Sequence, residues 1–259
     1  MGVLDRILTQ KHSELAELRT RKLPAPPPLR AVSLVRQESD PVRILAEIKR
    51  RSPSAGPLNT KLSVAERAAA YERAGATMAS VLCDSHFFGG GYEHLTEARE
   101  SSNIPLLCKE FIIDEAQLDC ARAFGAEAAL LIVRCLDDAR LERLFAATRE
   151  RGLLPLVEVA SEQEAARALA VGASTIGVNA RDLDTLEMDS ERAARVLACL
   201  PKHITKLHLS GISRPADITK LRDGGIDGAL IGEILMRQDD PEPLLRSLVV
   251  AGAAQNQGL

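Results

Sequence analysis

The sequence of 259 residues predicts an α/β fold, a (β/α)8 barrel carrying an additional N-terminal helix. Three observations predict it. Short apolar segments alternate with amphipathic ones along almost the whole chain, the pattern of a parallel sheet covered by helices on both faces. Eight such apolar segments follow one another, and glycine-containing helix endings recur about every 50 residues, at Gly75, Gly125, Gly172 and Gly225, an interval that fits pairs of βα units. The length also suits the one fold class that uses about 250 residues as a single unit.

Residues 3–20 place Val3, Leu4, Ile7, Leu8, Leu15 and Leu18 at helical spacing, which predicts the N-terminal helix. LPAPPPL over 23–29 forces an extended connector, because proline cannot continue a helix and restricts its predecessor. Strands are predicted over 44–49, 79–84, 105–110, 128–133, 154–159, 175–180, 204–210 and 228–232. Between them lie helical patterns such as 63–74, 116–124, 138–151, 162–171, 190–200 and 215–223. Each recurring glycine falls just before an even-numbered strand, where a left-handed C-cap is expected. The competing arrangement is an open doubly wound sheet. The expected organisation is one domain over 1–259, with helix and Pro-rich connector in 1–30, barrel in 44–250 and a frayed tail.

Composition narrows the function classes. Hydrophobic residues at 46% and charged residues at 27% support a large core under a solvated surface. A net charge of −3 leaves no footprint for nucleic acid or an anionic membrane. Aromatics at 3%, with no Trp, offer no stacking platform for bases. The five cysteines (Cys83, Cys108, Cys120, Cys135 and Cys199) form no CxxC pair and no zinc-like spacing, which fits reduced core residues in a cytoplasmic protein. No stretch approaches the roughly 18 apolar residues of a membrane span, and the first residues lack a signal-peptide core. Arg6 at the sixth position speaks against myristoylation.

In a (β/α)8 barrel the reactive groups project from the C-terminal ends of the strands. Polar residues cluster at those predicted ends: Glu47 and Lys49, Lys109, Glu158, Asn179 followed by Arg181, Ser210-Gly211 and Gly232-Glu233. One such residue could be a structural ion pair at the rim; six strands presenting them at the same end point to a site. The loops after the seventh and eighth strands, around Ser210-Gly211-Ile212-Ser213 and Gly232-Glu233, have the form of a phosphate cradle, which many barrels share. Lysine in a walled pocket supplies an acid or an anion anchor, and a facing carboxylate can move protons. His86, His94, His203 and His208 are isolated, with no metal-ligand spacing, and no GxGxxG opens a dinucleotide site. The chemistry expected is acid–base catalysis on a phosphate ester, without metal or cofactor.

The segments AEIKRRSPSAGPL (46–58), SVLCDSHFFGGGYEHL (80–95), PLLCKEFIIDEAQL (105–118), LVEVASEQEAARAL (156–169), IGVNARDLDTLEMD (176–189), SGISRPADI (210–218) and LIGEILMRQDDP (230–241) closely resemble, in order, the signature segments of the indole-3-glycerol-phosphate synthase family. The resemblance covers essentially the whole chain, including the helix that this family adds before its TIM barrel. It implies the substrate 1-(2-carboxyphenylamino)-1-deoxyribulose 5-phosphate and a carboxy-lyase reaction giving indole glycerol phosphate, CO2 and water in tryptophan biosynthesis. It further implies Lys109 as general acid on the ribulose carbonyl oxygen, Lys49 as an anion anchor and Glu47 as the group that positions it. Glu158 and the two lysines would serve the dehydration, while Asn179 and Arg181 would orient the substrate. Ser52, Ser210, Gly211, Gly232 and Glu233 would surround substrate polar groups, chiefly phosphate. Phe87, Phe88 and Phe111 are candidate walls for the anthranilate ring, with ordinary core packing as the alternative. The expected partner is one phosphorylated small molecule, and other tryptophan-pathway enzymes are the protein partners it suggests.

Three positions depart from the family pattern. Leu209 stands where the family usually has glutamate, Ala180 where Asn or Ser is usual, and Glu110 where Asp is usual. The first removes a carboxylate from the pocket, so a catalytically impaired or specialised homologue that binds the phosphate ester is the competing expectation. Another phosphate-binding barrel enzyme, such as the sugar isomerase preceding this step, would account for the phosphate loops but not for KRRSPS, KEF and NARDL together.

Overall fold

A computed structural model describes residues 2–37, 39–53 and 55–253. Ser54 of the first loop and residues 254–259, most of the tail expected to fray, lie outside the described residues. Eight strands close into a barrel: β1 (Arg43–Ile48), β2 (Met78–Leu82), β3 (Leu106–Lys109), β4 (Ala128–Ile132), β5 (Leu154–Val159), β6 (Thr175–Asn179), β7 (Thr205–Leu209) and β8 (Gly228–Ile231). Every neighbouring pair is parallel, and β1 closes the cylinder by pairing with both β2 and β8, Leu45 lying beside Met78 and Leu230. The open doubly wound alternative is excluded.

Alternation along each strand divides the core in two. Leu45, Met78, Leu107, Leu130, Leu156 and Leu207 fill the interior of the cylinder. Ile44, Ala46, Val81, Cys108, Leu131 and Val157 face outward into the layer between strands and helices. Both faces are therefore apolar, which explains why the strands read as continuous hydrophobic runs. Burying each such leucine contributes roughly 1.5–3 kcal/mol.

The expected glycine caps are present. Gly75, Gly125, Gly172 and Gly225 have φ of 91°, 102°, 81° and 69°, and the residue after each donates back to the helix, as Ala76 N–H does to the Tyr71 carbonyl at 2.9 Å. These are left-handed helix ends that a side chain would strain. A fifth, Gly152 at φ 72°, precedes β5, so the device is not confined to even-numbered strands.

Helix α1 (Val3–Thr20) precedes the barrel and packs against α5 (Glu115–Ala123). Between these lie α2 (Val64–Arg73), α3 (Ser85–Phe88) and α4 (Glu93–Ser101). After them come α6 (Asp138–Glu150), α7 (Glu162–Ala170), α8 (Ser190–Cys199), α9 (Pro215–Asp223), α10 (Glu233–Met236) and α11 (Glu242–Gly252). The four-residue helices α3 and α10 are too short to show a hydrophobic period. Seven of the eight strands end one or two residues earlier than the sequence predicts, so Lys49, Asp84, Glu110, Val133, Ala180, Ser210 and Gly232 lie just past the ladder. The reason is physical: those residues follow the last paired backbone group and belong to the loops that shape the mouth.

Candidate active site

The mouth at the C-terminal ends of the strands opens into a cavity of about 290 Å³, near the lower end of small-molecule sites. Its floor is apolar, built from Leu82, Leu130, Ile132, Leu209 and Leu230. The charged groups stand above this floor because strand ends deliver them there.

Glu47, the fifth residue of β1, is 3% exposed, and Lys49 two residues on points to the same side, its Nζ 2.6 Å from Glu47 Oε1. Burial pushes the Glu47 carboxyl upward, but Lys49, Lys109 and Arg181 outweigh it and hold the group below the usual carboxylate range. The strand end is fixed from behind by the Tyr71 hydroxyl, which donates to the Glu47 carbonyl at 3.0 Å. Gly232 after β8 leaves room for this pair, since a Cβ there would run into the Glu47 carboxylate. Gly232→Ala is therefore expected to destabilise the fold by about 1–3 kcal/mol through overpacking, measured by denaturant unfolding; an unchanged midpoint would contradict it.

Lys109 ends β3, and its Nζ lies 3.9 Å from Glu158 Oε2 on β5. Glu158 is 2% exposed. Its other oxygen accepts from Asn179 Nδ2 at 2.9 Å, while Oε2 is buried without a hydrogen bond among the described residues. A buried carboxylate oxygen without a hydrogen-bond partner is uncommon, and this one faces the Lys109 ammonium. Asn179 Oδ1 accepts from the Arg181 backbone N–H at 3.0 Å, which fixes the amide orientation. The Arg181 guanidinium donates to the Leu186 carbonyl at 2.9 Å and lies 3.8 Å from Glu233 Oε2. Arg237, donating to Glu233 Oε1 at 2.7 Å, keeps that carboxyl low.

After β7, Ser210 takes φ 70° and Gly211 φ 83°. A left-handed serine is uncommon and costs free energy, so the turn is held by its surroundings. Ser210, Gly211, Gly232 and Glu233 line the cavity side by side. Ser52 lines it too, in the short hairpin of Arg51–Ser52 with Gly56–Pro57, where its Oγ accepts from Ala55 N–H at 3.1 Å.

The aromatic wall differs from expectation. Phe88 and Phe111 line the cavity with ring centroids 6.0 Å apart. Phe87 is not among the lining residues and packs on the His86 ring at 4.7 Å. Successive residues of a helical turn point about 100° apart, so only one of the two adjacent phenylalanines of α3 can face the site. Sequence reasoning also missed Val3 and Ile7 of α1, and Leu183 and Leu186 of the β6–α8 loop, all in the lining. Helical periodicity marked Val3 and Ile7 as apolar but could not say what they cover.

Leu209 lines the same cavity at 2% exposure. It sits beside Asn179 in register and over Gly177, where a Cβ would come 2.7 Å from its Cδ1. Among the described residues no group of three or more His, Cys, Asp or Glu is disposed to hold a metal ion, and no helix is long and apolar enough to cross a membrane.

The profile of the indole-3-glycerol phosphate synthase family matches residues 4–248. An indole-3-glycerol phosphate synthase of Mycobacterium leprae is 40% identical over 238 residues, spanning 92% of this chain and 87% of its own. That of Kineococcus radiotolerans is 40% identical over 265 residues, spanning 98% and 97%. Among solved structures, a 3-hexulose-6-phosphate synthase superposes with a TM-score of 0.64 at 15% identity, over 82% of this chain and 100% of that one. A thiamine phosphate pyrophosphorylase from Pyrococcus furiosus does so at 0.61 and 16%, over 83% and 96%. These two share the barrel alone. With matching segments along almost its entire length, the chain belongs to the indole-3-glycerol phosphate synthase family.

Proposed function

We propose that the chain converts 1-(2-carboxyphenylamino)-1-deoxyribulose 5-phosphate to indole glycerol phosphate, CO2 and water, as a carboxy-lyase of tryptophan biosynthesis. The observation that carries this reading is the pairing of Lys109 with the buried Glu158 across an apolar-floored cavity that also holds Lys49 and Arg181. Three cations suit a substrate bearing a carboxylate and a phosphate, and low-dielectric walls strengthen each interaction.

In the first step the ring carbon that bears the carboxylate attacks the ribulose carbonyl carbon. Lys109 gives a proton to the carbonyl oxygen as the C–C bond forms. Loss of CO2 breaks the bond to the carboxyl carbon and returns its electron pair to the ring. The new hydroxyl then leaves as water: one group protonates it, and another removes a proton to complete the indole double bond. Glu158, with its free oxygen toward Lys109, is suited to proton removal, and a lysine to protonation of the leaving hydroxyl. Lys49, held by Glu47, is suited to anchoring the substrate carboxylate, and Asn179 and Arg181 to orienting the ester. The Ser210-Gly211 and Gly232-Glu233 turns, with Ser52 opposite, would take the phosphate and hydroxyls, and Phe88 and Phe111 the aromatic ring. A cytoplasmic setting goes with five cysteines carried as free thiols.

The test is the appearance of indole fluorescence when purified protein meets this substrate; a folded protein that yields none would refute the reading. Retained Lys49, Lys109 and Glu158 favour catalysis over a binding-only role despite Leu209. Leu209→Glu would set a second carboxylate near Asn179 and Glu158, and like charge raises carboxyl pKa values. The expected result is a pH profile of turnover with its acid limb moved upward. An unmoved profile would show that position 209 does not couple to the proton-transfer groups.

A further inference from the structure

We propose that Lys11 is a positioning residue for the substrate cavity, its ammonium clamping helix α1, the Phe88 turn and the Phe111 loop into one wall. The inference rests on the functional reading above only for what the wall contacts; the clamp itself stands on geometry.

Lys11 is 1% exposed, although lysine is almost never fully buried unless paired. Its Nζ lies 2.7 Å from Asp84 Oδ2, 3.0 Å from Glu110 Oε2 and 2.9 Å from Glu14 Oε2. Asp84 and Glu110 are themselves 0% and 3% exposed. Each of these carboxylates has a second task in the wall. Asp84 Oδ1 accepts from the backbone N–H groups of Phe87 and Phe88, at 2.6 and 3.0 Å, and so caps the turn that aims Phe88 into the cavity. Glu110 Oε1 accepts from the Phe111 N–H at 2.7 Å and orients the loop that aims Phe111. The third segment is α1. Ile7 and Val3 lie four and eight residues before Lys11, on the same helical face, and both line the cavity.

One buried cation thus joins three chain segments, each of which supplies apolar lining. Burial pushes the Glu110 carboxyl up to about 7 even with Lys11 beside it, so the carboxylate depends on that ammonium for its charge. Without the cation, Asp84 and Glu110 would face each other unpaired in the core, and one would have to take a proton or move. Either response releases the backbone donors that aim Phe88 or Phe111. Lys109 and Glu158 sit on strand ends and are not held by the clamp, so the wall can loosen while the proton-transfer pair stays in place.

The test compares wild type, Lys11→Met and Lys11→Arg in steady-state turnover and in amide hydrogen exchange. Lys11→Met keeps the length of the side chain and removes its charge. It is expected to raise KM about tenfold or more with kcat changed less than about threefold, and Lys11→Arg to recover most of the loss. Exchange should quicken in 3–12, 85–89 and 110–113 together, while the barrel strands stay protected. A lowered melting temperature with KM unchanged, or exchange that quickens in α1 alone, would overturn the proposal and leave Lys11 a simple staple. If Lys11→Met does not fold, Glu110→Gln, which keeps an acceptor for the Phe111 N–H, is expected to show the same KM-selective loss to a smaller degree; an unchanged KM there also overturns it. Wild type without turnover would refute the functional reading, and the exchange result would still decide the clamp.

Discussion

Replacing Lys109 by alanine is expected to lower kcat by about 1,000-fold, within the range general acids contribute, while the protein stays folded. The ammonium is partly exposed, and among the described residues its ion pair is with Glu158 at 3.9 Å, a distance too long to contribute much to stability. Its removal should therefore register in chemistry more than in unfolding. The loss should fall on kcat and kcat/KM together, the signature of an interaction made in the transition state. Activity that persists undiminished in the variant would remove Lys109 from the mechanism and leave Lys49 as the remaining lysine of the cavity able to donate the proton.

Glu158→Gln is expected to cost about 100-fold or more in kcat. The amide preserves shape and can still accept from Asn179, so the neighbouring 2.9 Å hydrogen bond survives. What disappears is the ability to take a proton, together with the negative charge facing Lys109. The limb of the pH profile that reports a catalytic carboxylate should vanish with it. A variant that keeps both its rate and that limb would place proton removal elsewhere, with Glu47 and Glu110 the other buried carboxylates lining the cavity.

These expectations were legible in the sequence because each polar residue ends an otherwise apolar strand. Glu47, Lys109, Glu158 and Asn179 break hydrophobic runs at corresponding points, and a closed parallel barrel can deliver such points only to one rim. The barrel itself was legible for a similar reason, since strands buried on both faces and left-handed glycine caps leave local marks. What escaped is tertiary. Lys11 reads as one more charge on an amphipathic helix, and nothing local announces that it meets Glu110, 99 residues away. The assignment of Val3 and Ile7 to the cavity depends on where α1 lies over the mouth, which periodicity does not encode. Phe87 and Phe88 are indistinguishable until the α3 turn aims one ring in and the other aside. Leu183 and Leu186 belong to a loop whose shape is set by Arg181 donating to the Leu186 carbonyl, a contact between residues with no repeating pattern.

Leu209, where the resemblance implies glutamate, has a clear packing role. The leucine fills the space over Gly177 and extends the apolar floor.

The central claim is that side chains from separate strands act on one phosphorylated molecule in this cavity. A crystal structure of the protein with bound indole glycerol phosphate tests it most directly. The account predicts the indole ring against Phe88 and Phe111, the phosphate at the Ser210-Gly211 and Gly232-Glu233 turns, and Lys109 and Glu158 both in contact with the ligand. A ligand seated elsewhere, or one that Lys109 and Glu158 cannot both touch, would contradict it.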